Sequence, residues 1–343
     1  MRNAIRLAAL LVALVLLAGL AYAGYAVAAG SDALTHPAGN SDCRTPQFRY
    51  GWTYEAINYD LADDGALRLA NPTMQGCASQ GAIAETNVVT SDGVHIGGWY
   101  IPAASMVGPA GPTVVLVHGW GANKSAVLKY AVPLHPTFNV VAFDLRNGGR
   151  SSRSATTFGV HETRDLGAIL DWLERTKHPM HIALMGDSMG GATAVLEARD
   201  DPRVEALILD STHARAEDII GRRLEVDEGQ PSLPGTPAIL VGVWLRTGVN
   251  LLDHNPVDAI PGLGDRPLLL LHGAADVHDI PARSVQANYQ AAQAAGVPVE
   301  MHLCPDGTHG HVIDACPDDW GRWSVEFLDR VFLEAEGTAR AGS

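Results

Sequence analysis

The sequence predicts an α/β protein with a mostly parallel central sheet and helices on both faces, and three observations carry that expectation. Short continuous apolar runs alternate with stretches of helical spacing over most of the chain. One run enters a helix through a Gly-x-Ser-x-Gly pattern, and between residues 211 and 262 the alternation lapses before resuming. Continuous runs suit strands buried on both faces of a parallel sheet. Strands alternating with helices build that kind of sheet.

Taken in order, Asn87-Val88-Val89-Thr90, Ser91-Asp92-Gly93 and Val94 to Ile101 read as a β-hairpin with an Asp-Gly turn. A Gly/Pro loop at 108–112 precedes the strand Thr113 to Val117, and Asn139 to Asp144 is a second buried strand. Residues 161–176 place Leu166, Ile169, Leu170 and Leu173 at helical spacing. Ile182 to Met185 is the strand before Gly186-Asp187-Ser188-Met189-Gly190-Gly191, and Ala192 to Arg199 is the helix after it. Val204 to Leu209 is a further strand, ending at Asp210.

The lapse holds a charged helical piece (214–226), a Pro/Gly linker (229–237) and an apolar piece from Ala238 to Leu252. An insertion above the carboxyl ends of parallel strands lies where ligands bind, so 211–262 is expected to form a small helical cap. Alternation resumes with Pro267 to Leu271, a helix over 281–295, a strand from Val299 to Leu303, and a last helix from Asp318 to Glu334. The expected organisation is therefore an anchor or signal (1–30), a linker and irregular extension (31–85), the main domain (86–335) and a flexible tail (336–343). Within the extension, Arg49-Tyr50-Gly51-Trp52-Thr53-Tyr54 would hold through aromatic burial.

Hydrophobic content of 47% and charged content of 18% describe a chain with a sizeable core. A net charge of −14 argues against sequence-blind binding of nucleic acid, which needs a basic surface. Arg2 and Arg6 precede an uncharged, mostly apolar run over 7–29, long enough to cross a bilayer as a helix. Its length favours a retained anchor; Ala21-Tyr22-Ala23, a small-x-small triplet, favours removal as a signal peptide. Either way the basic end stays in the cytoplasm, and the rest is membrane-anchored outside it or secreted. Export makes disulfides admissible, and Cys43, Cys77, Cys304 and Cys316 form two sequence-local pairs. Cys43–Cys77 and Cys304–Cys316 are the expected bridges, with buried free thiols as the alternative.

Strand, Gly-x-Ser-x-Gly and helix together signal a nucleophile on a sharp turn. Gly186 and Gly190 would give the crowded backbone room, and the helix would aim its free N–H groups at negative charge developing beside Ser188. A serine hydroxyl needs a base, and the base needs a third group to fix its tautomer. Asp276 follows the Pro267 to Leu271 strand and His309 follows the Val299 to Leu303 strand, the order such a sheet requires. Asp279 and Asp210 are rivals for the acid, and His311 is the alternative base. His309-Gly310-His311 lacks carboxylates or cysteines at ligand spacing, so neither a metal nor another cofactor is expected. The oxyanion hole would use the Met189 amide and one from His118-Gly119-Trp120-Gly121, with Trp120 preferred and His118 read as a structural brace.

These residues carry a resemblance. Gly-Asp-Ser-Met-Gly-Gly, His-Gly-Trp-Gly, His-Gly-Ala-Ala-Asp and the late His309 resemble the α/β-hydrolase fold superfamily. Within it the chain is similar to membrane-linked serine hydrolases of the serine aminopeptidase-like and acylesterase-like group. Residues 91–102 resemble that group's first hairpin. Asp144-Leu145-Arg146-Asn147-Gly148-Gly149-Arg150-Ser151 resembles its Asp-x-Arg-x-x-Gly-x-Ser loop, with Asn147-Gly148 where Gly-His is commoner. The resemblance covers 86–334 and implies hydrolysis of an ester, thioester or amide through an acyl-enzyme. The substrate would be a small-molecule or peptide acyl compound, with carboxylesterase or lipase-like action expected ahead of aminopeptidase action. The reading from a different class is a non-catalytic, membrane-attached binding protein.

Overall fold

The computed structural model describes residues 2–39, 44–57, 82–84, 88–277, 280 and 282–341. Among the described residues nine strands form one sheet: β1 (Glu55–Ile57), β2 (Ala82–Ala84), β3 (Gly98–Ile101), β4 (Thr113–Val117), β5 (Asn139–Phe143), β6 (Ile182–Asp187), β7 (Ala206–Asp210), β8 (Leu268–Gly273) and β9 (Val299–Cys304). Their spatial order is β2-β1-β3-β5-β4-β6-β7-β8-β9. Every neighbouring pair is parallel except the two that β3 makes, with β1 and with β5.

The apolar runs are continuous because both faces of the sheet are covered. Val115 and Val117 of β4, Leu184 of β6, Leu207 of β7 and Leu270 of β8 enter one core. Their neighbours Val114, Leu116, Met185, Ile208 and Leu271 enter the other. On the first face α5 (Glu162–Thr176) buries Leu166, Ile169, Leu170 and Leu173, the predicted stripe. Its first turn is fastened by the Glu162 carboxylate, which accepts from the Thr157 and Gly159 amides, both at 2.9 Å. On the second face α4 (Lys124–Leu134) and the last helix (Pro317–Ala341) close the core through Val127, Leu128, Trp320 and Phe327.

Several elements differ from expectation. The hairpin shrinks to a tight turn with one bridge, Val89 to His95. Gly98–Ile101 pairs with β5 instead, because a turn signal fixes the reversal but not the partner of the returning strand. The extension is not wholly irregular: it supplies α3 (Pro46–Tyr50), β1 and β2. Trp52 stacks between Tyr50 and His135, with ring centroids 4.4 and 4.2 Å away. The last helix passes Glu334 and runs to Ala341, into the expected tail. The helix α1 (Arg2–Tyr25) does not stop near residue 30 but continues through a π-turn, Ala26–Gly30, into α2 (Ser31–Thr35). Between β7 and β8 lie α7 (Ala216–Val226) and α8 (Ser232–Thr247), with a cluster of their own that includes Ile219, Ile220, Ile239 and Val243.

Asp187 and Asp210 end adjacent parallel strands in register. Burial, reinforced by the neighbouring Asp187 carboxylate, pushes Asp210 from its ordinary 3.8 up to about 7. Its Oδ2 accepts from the Trp320 indole at 2.9 Å. Below about pH 4 folded and unfolded chains both hold this proton. As pH rises toward 7 the unfolded chain loses it first, so this group's contribution to stability declines through that window. Asn can keep accepting from Trp320 but has no proton to lose. Urea midpoints at pH 5 and pH 8 should therefore show Asp210→Asn gaining on wild type with rising pH; a constant difference contradicts the assignment.

Candidate active site

The backbone turns from β6 into α6 (Met189–Asp200) at one residue, Ser188, whose φ is 54° and ψ −117°. That conformation is costly for an L-residue and survives only where packing dictates it. A Cβ on Gly186 would overlap Gly190 and Gly191, and a Cβ on Gly190 would overlap the Val117 carbonyl. Gly119 is also tightly placed: its Cβ would lie 3.3 Å from that of Ser188. The Ser188 amide donates to the Asp210 carbonyl at 2.9 Å, tying the turn to β7.

Three side chains distant in sequence meet above these strand ends. His309 Nε2 lies 3.0 Å from Ser188 Oγ, and His309 Nδ1 lies 3.1 Å from Asp276 Oδ2. The Asp276 side chain is 1% exposed and that of His309 18%. The Asp276 Oδ1 also accepts from the Ile280 amide at 3.1 Å, which fixes the carboxylate's plane. A carboxylate on Nδ1 keeps the proton there and leaves Nε2 as acceptor for the serine hydroxyl.

The other candidates lie elsewhere. His311 Nδ1 pairs with Asp314 at 2.7 Å and its side chain is 66% exposed. Asp210 faces Trp320 and Ser211 behind the turn. Asp279, Cys43 and Cys77 lie outside the described residues. Cys304 and Cys316 are joined, so a short disulfide ring encloses the His309 loop. Across that loop the Ala275 amide donates to the Gly307 carbonyl at 3.0 Å. Met189 opens α6, where helix amides have no carbonyl partner within the helix. Trp120 sits in the adjacent loop, its indole donating to the Leu34 carbonyl at 2.8 Å. Beside it His118 is buried and held neutral by that burial; Nδ1 donates to the Gly119 carbonyl at 2.8 Å while Nε2 accepts from the Leu145 amide at 2.9 Å.

Three polar groups near the site were not foreseen. His213, pushed down to about 4 by burial, packs edge-on to Phe158. His272, likewise lowered by burial, lies beside Asp276 and His309. Asp144 directly follows β5, accepts from the Lys124 amide at 2.8 Å and pairs with its ammonium. The available signal was position: each stands at the carboxyl end of a strand or within three residues of it.

Arg146 carries the loop after β5. Its guanidinium is 1% exposed and contacts Asp165 at 2.7 Å and Asp92 at 2.9 Å. Hydrogen bonding from that guanidinium holds the Asp92 carboxyl well below the usual carboxylate range.

Comparison with known proteins agrees with this architecture. The model of the alpha/beta hydrolase fold family matches residues 112–233. The chain is 31% identical over 250 residues to the protein YfhR of Escherichia coli O157:H7, covering 71% of this chain and 78% of that one. Among solved structures, an esterase of Pyrococcus furiosus matches with a TM-score of 0.57 and 24% identity, over 71% of this chain and 88% of that one. Est1E from Butyrivibrio proteoclasticus, solved with ferulic acid, matches with a TM-score of 0.56 and 16% identity, over 70% and 98% of the two chains. At such identities the structural likeness speaks for the fold alone. Sheet order, the turn at residue 188 and these matches agree: the chain belongs to the α/β-hydrolase fold superfamily.

Proposed function

We propose that the protein is a serine hydrolase working outside the cytoplasm, held to the membrane by residues 7–29, which cleaves an ester bond through an acyl-enzyme on Ser188. The observation that carries this reading is the unbroken chain of hydrogen bonds from Ser188 through His309 to Asp276, at 3.0 and 3.1 Å. Fold neighbours named as esterases support ester over amide as the bond. Within the helix from Arg6 to Thr35, an 18-residue stretch with mean hydropathy 2.4 supports the anchor.

In this mechanism His309 Nε2 takes the Ser188 proton as Oγ attacks the acyl carbon. Asp276 holds the imidazole in the required tautomer and stabilises its charged form. The amides of Met189 and Trp120 receive the oxyanion, each donor worth on the order of 10²–10³ in rate. The alcohol leaves with the proton carried by His309. Water, deprotonated by the same ring, then releases the acid and restores Ser188. On this reading segment 211–262, which carries α7 and α8 between β7 and β8, acts as the cap over this reaction.

A fluorophosphonate probe should label wild type and leave Ser188→Ala unlabelled; equal labelling removes Ser188 from its role. His309→Ala should lower kcat for p-nitrophenyl esters by about three powers of ten or more, with His311→Ala near wild type. Loss in the His311 variant alone would move the base by two residues. The Cys304–Cys316 ring should contribute on the order of 3 kcal/mol by restricting the unfolded chain. Replacing both cysteines by alanine should lower the thermal midpoint by several degrees and kcat with it; an unchanged midpoint denies the ring that role.

A further inference from the structure

The N-terminal helix is built into the cap. A Cβ on Gly242 of α8 would come within 2.5 Å of the Val27 carbonyl, and one on Gly30 within 2.9 Å of Ile239. Both glycines therefore mark backbone held in close approach. Arg246 donates to Ser31 Oγ at 2.8 Å and to the Ala28 carbonyl at 2.6 Å, and the Thr156 amide donates to the Thr35 carbonyl at 2.8 Å. Ala26 is buried, whereas Leu10, Leu14, Leu17 and Leu20 are exposed.

Between this helix and the cap lies a cavity of about 330 Å³. Tyr22, Ala29 and Ala33 line it from the helix, and Ile220, Leu224 and Ile239 from the cap. Trp120 borders it too, and its chain neighbour Gly119 packs against Ser188. The cavity thus adjoins the loop beside the nucleophile.

A helix rises about 1.5 Å per residue and the hydrocarbon core is about 30 Å thick, so about 20 residues cross it. Counted from Leu7, the crossing ends near Ala26, which puts Tyr22 and Tyr25 at the outer boundary where aromatic belts lie. The cavity is then level with the lipid headgroups. The outer side of α8 suits the same level: Val241, Trp244 and Leu245 are exposed there, with Leu252 alongside.

We propose that this cavity takes the acyl chain of a lipid ester drawn from the outer leaflet, with the anchor helix as one wall. The inference rests on the hydrolase reading above and names its substrate class. Ser188 Oγ bonds to the acyl carbon, the headgroup-bearing alcohol leaves with the proton from His309, and water releases the fatty acid. The anchor is on this account part of the binding site, so a chain cut after Gly30 loses Tyr22 and Ala29 from the wall.

The test uses the full-length protein in phosphatidylcholine vesicles, with p-nitrophenyl decanoate and p-nitrophenyl acetate as substrates. Ala29 and Ala33 are exposed, so Ala29→Trp and Ala33→Trp fill the cavity without disturbing the core. Both should lower the decanoate-to-acetate ratio of kcat/KM by about tenfold or more, and weaken inhibition by vesicle-borne decanoate in parallel. An unchanged ratio with hydrolysis intact overturns this inference and leaves the hydrolase reading standing. No cleavage of either ester by wild type overturns both. Trp244→Glu should raise KM for decanoate ester in vesicles more than for the same ester in solution; equal effects overturn the bilayer as the source.

Discussion

The structure depends on one sharp reversal of the main chain. At Ser188 the path changes from strand to helix within a single residue, and its φ of 54° is tolerated only because its neighbours leave no alternative. Gly186, Gly190 and Gly191 each sit where a methyl group would strike backbone or Thr212. The side chain is therefore presented above the sheet, and the first amides of α6 face the same space. Strand β7 holds the turn from the side through the Asp210 carbonyl.

Around this point the sheet gathers carboxylates, and environment gives each a different task. Asp144 is paired with Lys124, Asp210 is surrounded by Trp320 and Ser211, and Asp276 meets His309. Residue type is the same in each case. What differs is the partner supplied by the next loop or helix, and of these three only Asp276 faces an imidazole that also reaches the serine.

Much of this was legible in the sequence, for a physical reason. Strands β4 to β8 lie in a sheet covered on both faces, so their apolar runs are unbroken and easily recognised, whereas the edge strand β9 alternates apolar and polar residues. Ser188, Asp276 and His309 could be named because each stands just past a recognisable strand, and in a parallel sheet those positions converge at one edge. Segments of three residues such as β1 and β2 are too short to show a period. The pairing of β3 with β5 was hidden because it depends on a distant partner. The contact between Asp187 and Asp210 follows from register between strands, which one-dimensional spacing does not express. The docking of α1 on α8 was hidden as well, since a helix apolar on every side gives no sign of which side meets protein. Gly30 and Gly242 were the available hints, and each is ordinary until Ile239 is placed against the first and Val27 against the second.

His118 has a geometric effect beyond filling space. A trans peptide is flat, with its carbonyl and its N–H pointing in opposite directions. By gripping the Gly119 oxygen through Nδ1, the ring sets the plane of the Gly119–Trp120 unit, while Nε2 is itself pinned by the Leu145 amide. The direction of the Trp120 N–H is thus governed from the far side of its own peptide bond, by an imidazole that never touches it.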